Sequence, residues 1–85
     1  MAVKLVFLAR LRDSLGVSTE ALELPVEVSD VGSLRERLRG RSDLWSTELG
    51  PGRAIRVAVN HVVADPGTPV RDGDEVAFFP PVTGG

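Results

Sequence analysis

Two glycines close the sequence, and they carry its most specific chemistry. Gly84 and Gly85 leave the last carboxylate without a neighbouring side chain, so it can enter a channel too narrow for a Cβ and meet another backbone closely. At neutral pH that carboxylate is ionised and a poor electrophile. It must first be activated, most simply with ATP as an acyl adenylate, after which a sulfur donor or an amine can attack the carbonyl. The residues leading to it are Phe78-Phe79-Pro80-Pro81-Val82-Thr83. Pro80 and Pro81 lack the amide donors of a strand ladder and favour extended backbone, so pairing is expected to stop at Phe79. Residues 80–85 then read as an extended tail with a reach of about 20 Å at roughly 3.3 Å per residue. A domain of this length has a radius of gyration of about 12 Å, so the tail can reach well into another protein.

The rest of the chain offers little that reacts. Cysteine is absent and His61 is the one histidine, which excludes disulfides, thiolate metal sites, thiol nucleophiles and a histidine-built zinc site. There is no glycine-rich phosphate loop with its Lys and Ser or Thr, and no nucleophile elbow. His61 falls in an expected turn, with no nucleophile and orienting acid beside it, and reads as a surface residue. Asp72, Asp74 and Glu75 lack the alternating ligand order of a calcium loop and read as a charged turn. Arg35, Arg37, Arg39 and Arg41 are spread around a helix with Glu36 among them, which reads as a solvated face. Ten Lys and Arg against twelve Asp and Glu give a net charge of -2, without the basic excess of a general nucleic-acid binder.

A chain of 85 residues has room for one core, and 42% hydrophobic with 26% charged residues suits a soluble globule. Apolar runs such as Leu5 to Ala9 fall far short of the roughly 20 residues that span a bilayer, so no membrane partner is expected. The start lacks the basic, apolar and small-residue pattern of a secretory signal, and a cytoplasmic location is expected.

The elements that must position the tail follow from periodicity. Val3 to Leu8 is almost wholly apolar and reads as a central strand buried largely on both faces. Leu8, Leu11 and Leu15, followed by Gly16, predict a short helix over Ala9 to Leu15 with a left-handed end. Thr19 to Leu24 alternates as a second strand closed by Pro25. Asp30 is the expected N-cap of a helix carrying the stripe Val31, Leu34, Leu38 and ending near Gly40. Ser42 to Leu49 adds a helical turn, with Trp45 as a lid on the core. After the breaker Gly50-Pro51-Gly52, Ile55 to Val59 is a strand, Asn60-His61 a turn, Val62 to Ala64 a short apolar piece, and Glu75 to Phe79 the last strand. The order predicts an α+β domain over residues 1–79, a mixed sheet of four to five strands packed against one main helix plus short helices. Its two most apolar strands, the first and the last, are expected side by side and parallel in the middle, which is the ubiquitin-like β-grasp arrangement. Residues 80–85 are the extended Gly-Gly tail.

The stretch Asp72-Gly73-Asp74-Glu75-Val76-Ala77-Phe78-Phe79-Pro80-Pro81-Val82-Thr83-Gly84-Gly85 resembles the C-terminal signature of the ubiquitin-like sulfur-carrier family of molybdopterin synthase small subunits. Val3 to Arg12, with its Ala-Arg-Leu-Arg helix start, and Ala58-Val59-Asn60 add to the likeness, while 41–53 is generic. The resemblance implies that Gly85 is adenylated with ATP by a ubiquitin-activating-enzyme-like partner and becomes a thiocarboxylate, a 1-thioglycine, with sulfur from a persulfide-bearing sulfurtransferase. It implies that Val82, Thr83 and Gly84 enter the active site of a large subunit. There the thiocarboxylate supplies the dithiolene sulfurs to cyclic pyranopterin monophosphate. The assembly implied is a heterotetramer of two small and two large subunits, in which this chain binds no cofactor and is not catalytic alone. By position, Phe79, Leu8 and Val63 match apolar interface residues and Arg12 a polar one; Leu8 stands where the family often has an aromatic. A thiamine-pathway sulfur carrier and a ubiquitin-like modifier that acylates lysines share the Gly-Gly end and are the alternatives.

Overall fold

A computed structural model describes residues 2–81. Eight elements follow one another: β1 (Ala2–Phe7), α1 (Ala9–Leu15), β2 (Thr19–Glu23), α2 (Val31–Arg39), α3 (Asp43–Glu48), β3 (Arg56–Val59), β4 (Val62–Ala64) and β5 (Glu75–Phe79). The five strands form one mixed sheet in the order β2-β1-β5-β3-β4. β1 and β5 are its parallel centre, paired Lys4 to Glu75 through Phe7 to Phe78, and every other pairing is antiparallel. This is the β-grasp arrangement expected from the sequence.

Local chemistry sets the helix ends. Asp30 Oδ1 accepts from the Ser33 amide at 2.8 Å while Ser33 Oγ accepts from the Asp30 amide at 3.2 Å, a reciprocal cap that satisfies two free donors at the start of α2. The hydrogen bonds from Ser33 hold the Asp30 carboxyl below the usual carboxylate range. Gly16 ends α1 with φ 73°, a left-handed conformation in which a side chain would be strained, and its amide donates to the Arg12 carbonyl.

Packing is one-sided. Val3, Leu5 and Phe7 of β1 and Val76 and Phe78 of β5 point to the same face and meet Leu11 and Leu15 of α1 and Val31, Leu34 and Leu38 of α2. Phe7 stacks on Phe78 at 5.5 Å between ring centres, and Trp45 of α3 closes over Phe7 edge-on at 5.4 Å. The expectation that β1 is buried on both faces is corrected: Lys4 is exposed and Val6 half-buried. Among the described residues the core helices pack against the other side of the sheet, so the alternate residues of β1 lie outside that core.

The arginines of α2 and of the turn after it divide into two sets. Arg35 donates through Nε to the Leu49 carbonyl and through Nη2, at 3.0 Å, to that of Gly50, and Arg39 donates to the Ser46 carbonyl at 3.3 Å. They satisfy carbonyls at and after the end of α3, a role that an expectation of a solvated face misses. Arg37 and Arg41 lie on the outer side. Arg41 stands over the Trp45 ring at 4.6 Å and grips both carboxylate oxygens of Glu20, one at 2.8 Å, tying the α2–α3 turn to β2. That hydrogen bonding holds the Glu20 carboxyl below its usual range.

Two outcomes follow. At Gly50 an added Cβ would sit 2.6 Å from the Ser46 carbonyl oxygen, whereas at Gly52 it would meet nothing within 4 Å. Gly50→Ala is therefore expected to cost about 1–3 kcal/mol by overpacking and Gly52→Ala less than about 0.5 kcal/mol, read from urea midpoints. The depressed Glu20 carboxyl contributes stability above the pH where the unfolded carboxyl titrates and loses it as pH falls through the folded value. The destabilisation caused by Arg41→Ala should accordingly be largest near neutrality and narrow below about pH 4, measured by urea melts across that range.

Candidate functional site: the open sheet face and the end of β5

The face of the sheet away from the helices is assembled by register. Val6 of β1 pairs with Ala77 of β5, Ala77 with Ala58 of β3, and Ala58 with Val63 of β4. Because side chains at paired positions share a face, these four residues form one apolar row across the four strands. The next row toward the end of β5 is set in the same way. The Leu8 amide donates to the Phe78 carbonyl at 3.1 Å, continuing the parallel ladder one residue past β1, which brings Leu8 beside Phe79. Arg56 pairs with Phe79 from the other side. Leu8 and Val63 are 43% and 61% exposed, Phe79 is half-buried and Ala58, at 8%, is buried. An apolar strip at this exposure can be covered by a partner at little desolvation cost.

The opposite end of the same face is polar. Lys4 Nζ lies 3.8 Å from Glu75 Oε1, and His61 Nε2 lies 3.5 Å from Glu75 Oε2. Asp74 accepts from the Arg71 amide at 2.8 Å and from Asn60 Nδ2 at 2.9 Å, and these bonds hold its carboxyl below the usual range. The charged turn read from the sequence thus serves to fix the β4–β5 connection against the Asn60-His61 turn. Both residues of that turn have positive φ, 50° and 70°, as a tight two-residue hairpin demands. His61 is exposed, as read from the sequence.

Of the residues singled out by resemblance, Leu8, Val63 and Phe79 come together on this face. Arg12 lies on α1, exposed, with its Nε 3.7 Å from Asp13 Oδ1, and takes no part in the two rows. Val82, Thr83, Gly84 and Gly85 lie outside the described residues. β5 stops at Phe79, and Pro80 and Pro81 follow outside any strand, where the two prolines were expected to end the ladder. Sequence reasoning missed Ala58 and Ala77, which let the strip run without a break from Val6 to Val63. Their signal is register, since each occupies the alternate position of a strand whose neighbours are core.

Among the described residues, then, the core lies on one face of the sheet, the apolar strip on the other, and β5 ends at the strip's margin. Residues 5–85 match the ThiS family. The chain belongs to that family. The molybdopterin synthase sulfur carrier subunit of Escherichia coli strain K12 is 41% identical over 83 residues, covering 98% of this chain and 99% of the relative. A Pyrococcus furiosus structure, assigned as molybdopterin converting factor subunit 1, superposes with a TM-score of 0.79 at 32% identity, covering 96% of this chain and 99% of its own. A third likeness is to the Helicobacter pylori complex of subunits 1 and 2 of molybdopterin-converting factor, with a TM-score of 0.67 and 26% identity over 100% of both chains.

In this ThiS-family chain the two adjacent phenylalanines have opposite duties. Phe78 is wholly buried against Phe7, and Phe79 faces the open strip. Phe78→Ala is expected to cost about 3–5 kcal/mol and Phe79→Ala clearly less, compared by chemical denaturation.

Proposed function

We propose that this chain is the sulfur-carrier subunit of a molybdopterin synthase. Its folded body presents the C-terminal carboxyl group, which is the reagent. The observation that carries the reading is its near full-length similarity to the Escherichia coli sulfur carrier subunit, with the family match running through the final Gly85. The apolar strip beside Phe79 supports it physically, since a partner docked there lies next to the point where the tail begins.

The chemistry follows from the carboxylate. Its oxygen attacks the α-phosphorus of ATP on an activating enzyme, pyrophosphate leaves, and Gly85 becomes an acyl adenylate. The persulfide sulfur of a sulfurtransferase then attacks the acyl carbon and AMP departs. A thiol cleaves the resulting acyl disulfide, leaving a thiocarboxylate on Gly85 and the donor as a disulfide. The tail, with Val82, Thr83 and Gly84 threaded into a large subunit, delivers that sulfur to cyclic pyranopterin monophosphate. The absence of side chains at Gly84 and Gly85 suits a narrow channel, and the entropy lost in ordering them is offset by docking of the apolar strip. Phe79, Leu8 and Val63 form the centre of that contact, with Arg12 at its rim. The large subunit is the partner that the Helicobacter pylori complex suggests, and two copies of each subunit would make the working enzyme. The chain has no catalytic role alone and acts in the cytoplasm.

The test is intact mass after incubation with an activating enzyme, ATP and a sulfur source. Exchange of one terminal oxygen for sulfur is expected, and the thiocarboxylate form should then convert the pterin precursor on a large subunit. Deletion of Gly85 should abolish both while leaving the thermal midpoint unchanged, because a terminal glycine has no side chain to bury. A chain that keeps its oxygen under these conditions is not a sulfur carrier.

A further inference from the structure

An activated acyl group reacts with amines as well as with sulfur, so the amines on the carrier's own surface decide whether the activated form survives. The sequence is unusual in this respect. Of its ten Lys and Arg residues, Lys4 alone is lysine. Arginine keeps its guanidinium charged at any physiological pH and offers no lone pair to a carbonyl, whereas a lysine amine is a ready acyl acceptor once deprotonated. Among the arginines, Arg56 is exposed and is the cross-strand neighbour of Phe79, where β5 ends, and Arg10 is exposed two residues after Leu8.

Lys4 occupies a different place. It pairs with Glu75 at the start of β5, about 13 Å of strand from Phe79 at 3.3 Å per residue. Its side chain is 60% exposed on the open face, with Nζ 3.8 Å from Glu75 Oε1. It is next but one to Val6 along β1, so a partner seated on the apolar strip lies beside it.

Building on the reading of Gly85 as an activated carboxyl, we propose that Lys4 is the one side-chain acceptor for the chain's own acyl group. We further infer that the arginine-only remainder of the cationic surface keeps the activated form from consuming itself. In the side reaction the neutral Lys4 Nζ attacks the Gly85 carbonyl carbon, a C–N bond forms, the bond to the leaving group (AMP or a thiol) breaks, and the amine proton passes to water. The product is an isopeptide, within one chain or between two copies.

The experiment makes the activated species chemically, as the full chain carrying a C-terminal alkyl thioester, and incubates it at mildly alkaline pH with no partner present. Isopeptide products are mapped by peptide mass spectrometry; a conjugate between copies has about twice the 9.1 kDa mass of the chain. In the native sequence, side-chain acylation should fall on Lys4 alone and disappear in Lys4→Arg. Arg56→Lys and Arg10→Lys should each add a new acylated site and shorten the thioester's lifetime. The proposal is overturned if Lys4 stays unmodified while the thioester hydrolyses, or if the added lysines are no more acylated than the arginines they replace. Whether Gly85 is activated biologically is read separately, by ATP–pyrophosphate exchange with an activating enzyme. Failure there would remove the functional reading while leaving the thioester result to stand.

Discussion

The parallel pairing of β1 with β5 is the constraint on which the rest of the molecule depends. It joins the first and last strands at the middle of the sheet and places Phe7 against Phe78 inside the core. It also sets Leu8 beside Phe79 on the opposite face. A slip of one residue would turn Phe79 into the core and Phe78 onto the surface, since side chains alternate with period two. Register thus determines the packing of the core, the composition of the apolar strip and the place where the chain leaves the sheet.

Around that centre the helices do different work. α2 supplies the apolar stripe and a self-contained cap, so it is defined largely by its own sequence. α3 is short and depends on its surroundings: Arg35 and Arg39 satisfy carbonyls at and after its end, and Arg41 clasps Trp45 from outside. The polar interactions on this side are invested in holding the scaffold. On the open side, by contrast, no described element is layered over the apolar strip. The core and the apolar strip therefore lie on opposite faces of one sheet, and a change on one face need not disturb the other.

Much of this was legible in the residues. The 3.6-residue spacing of Val31, Leu34 and Leu38, the Asp30 cap, Gly16 and the final apolar strand each specify their element locally. Adjacency of the two most apolar strands followed from their composition. What was not legible depends on contacts distant in sequence. The run from Val3 to Leu8 reads as doubly buried because Val6 and Leu8 are apolar, yet the described helices all pack on the other face. Apolar residues on the face away from the helices have the same composition as core. The carbonyl-binding role of Arg35 was hidden for a similar reason, because its acceptors lie 14 and 15 residues away. At the site, Leu8, Val63 and Phe79 were identified through resemblance, but Ala58 and Ala77 needed the strand register.

The central position of β5 also bears on how the molecule is made. A polypeptide emerges from the ribosome in order and its domains close as units. Here β1, α1 and α2 exist well before residues 75–79, yet the sheet has no middle until those residues arrive. A nascent or prematurely terminated product lacking them leaves Leu5 and Phe7 without their inner neighbours Val76 and Phe78 and cannot complete its core. Proteolytic surveillance of unfolded polypeptides would remove such fragments, so defective copies missing their final strand would not accumulate beside intact ones.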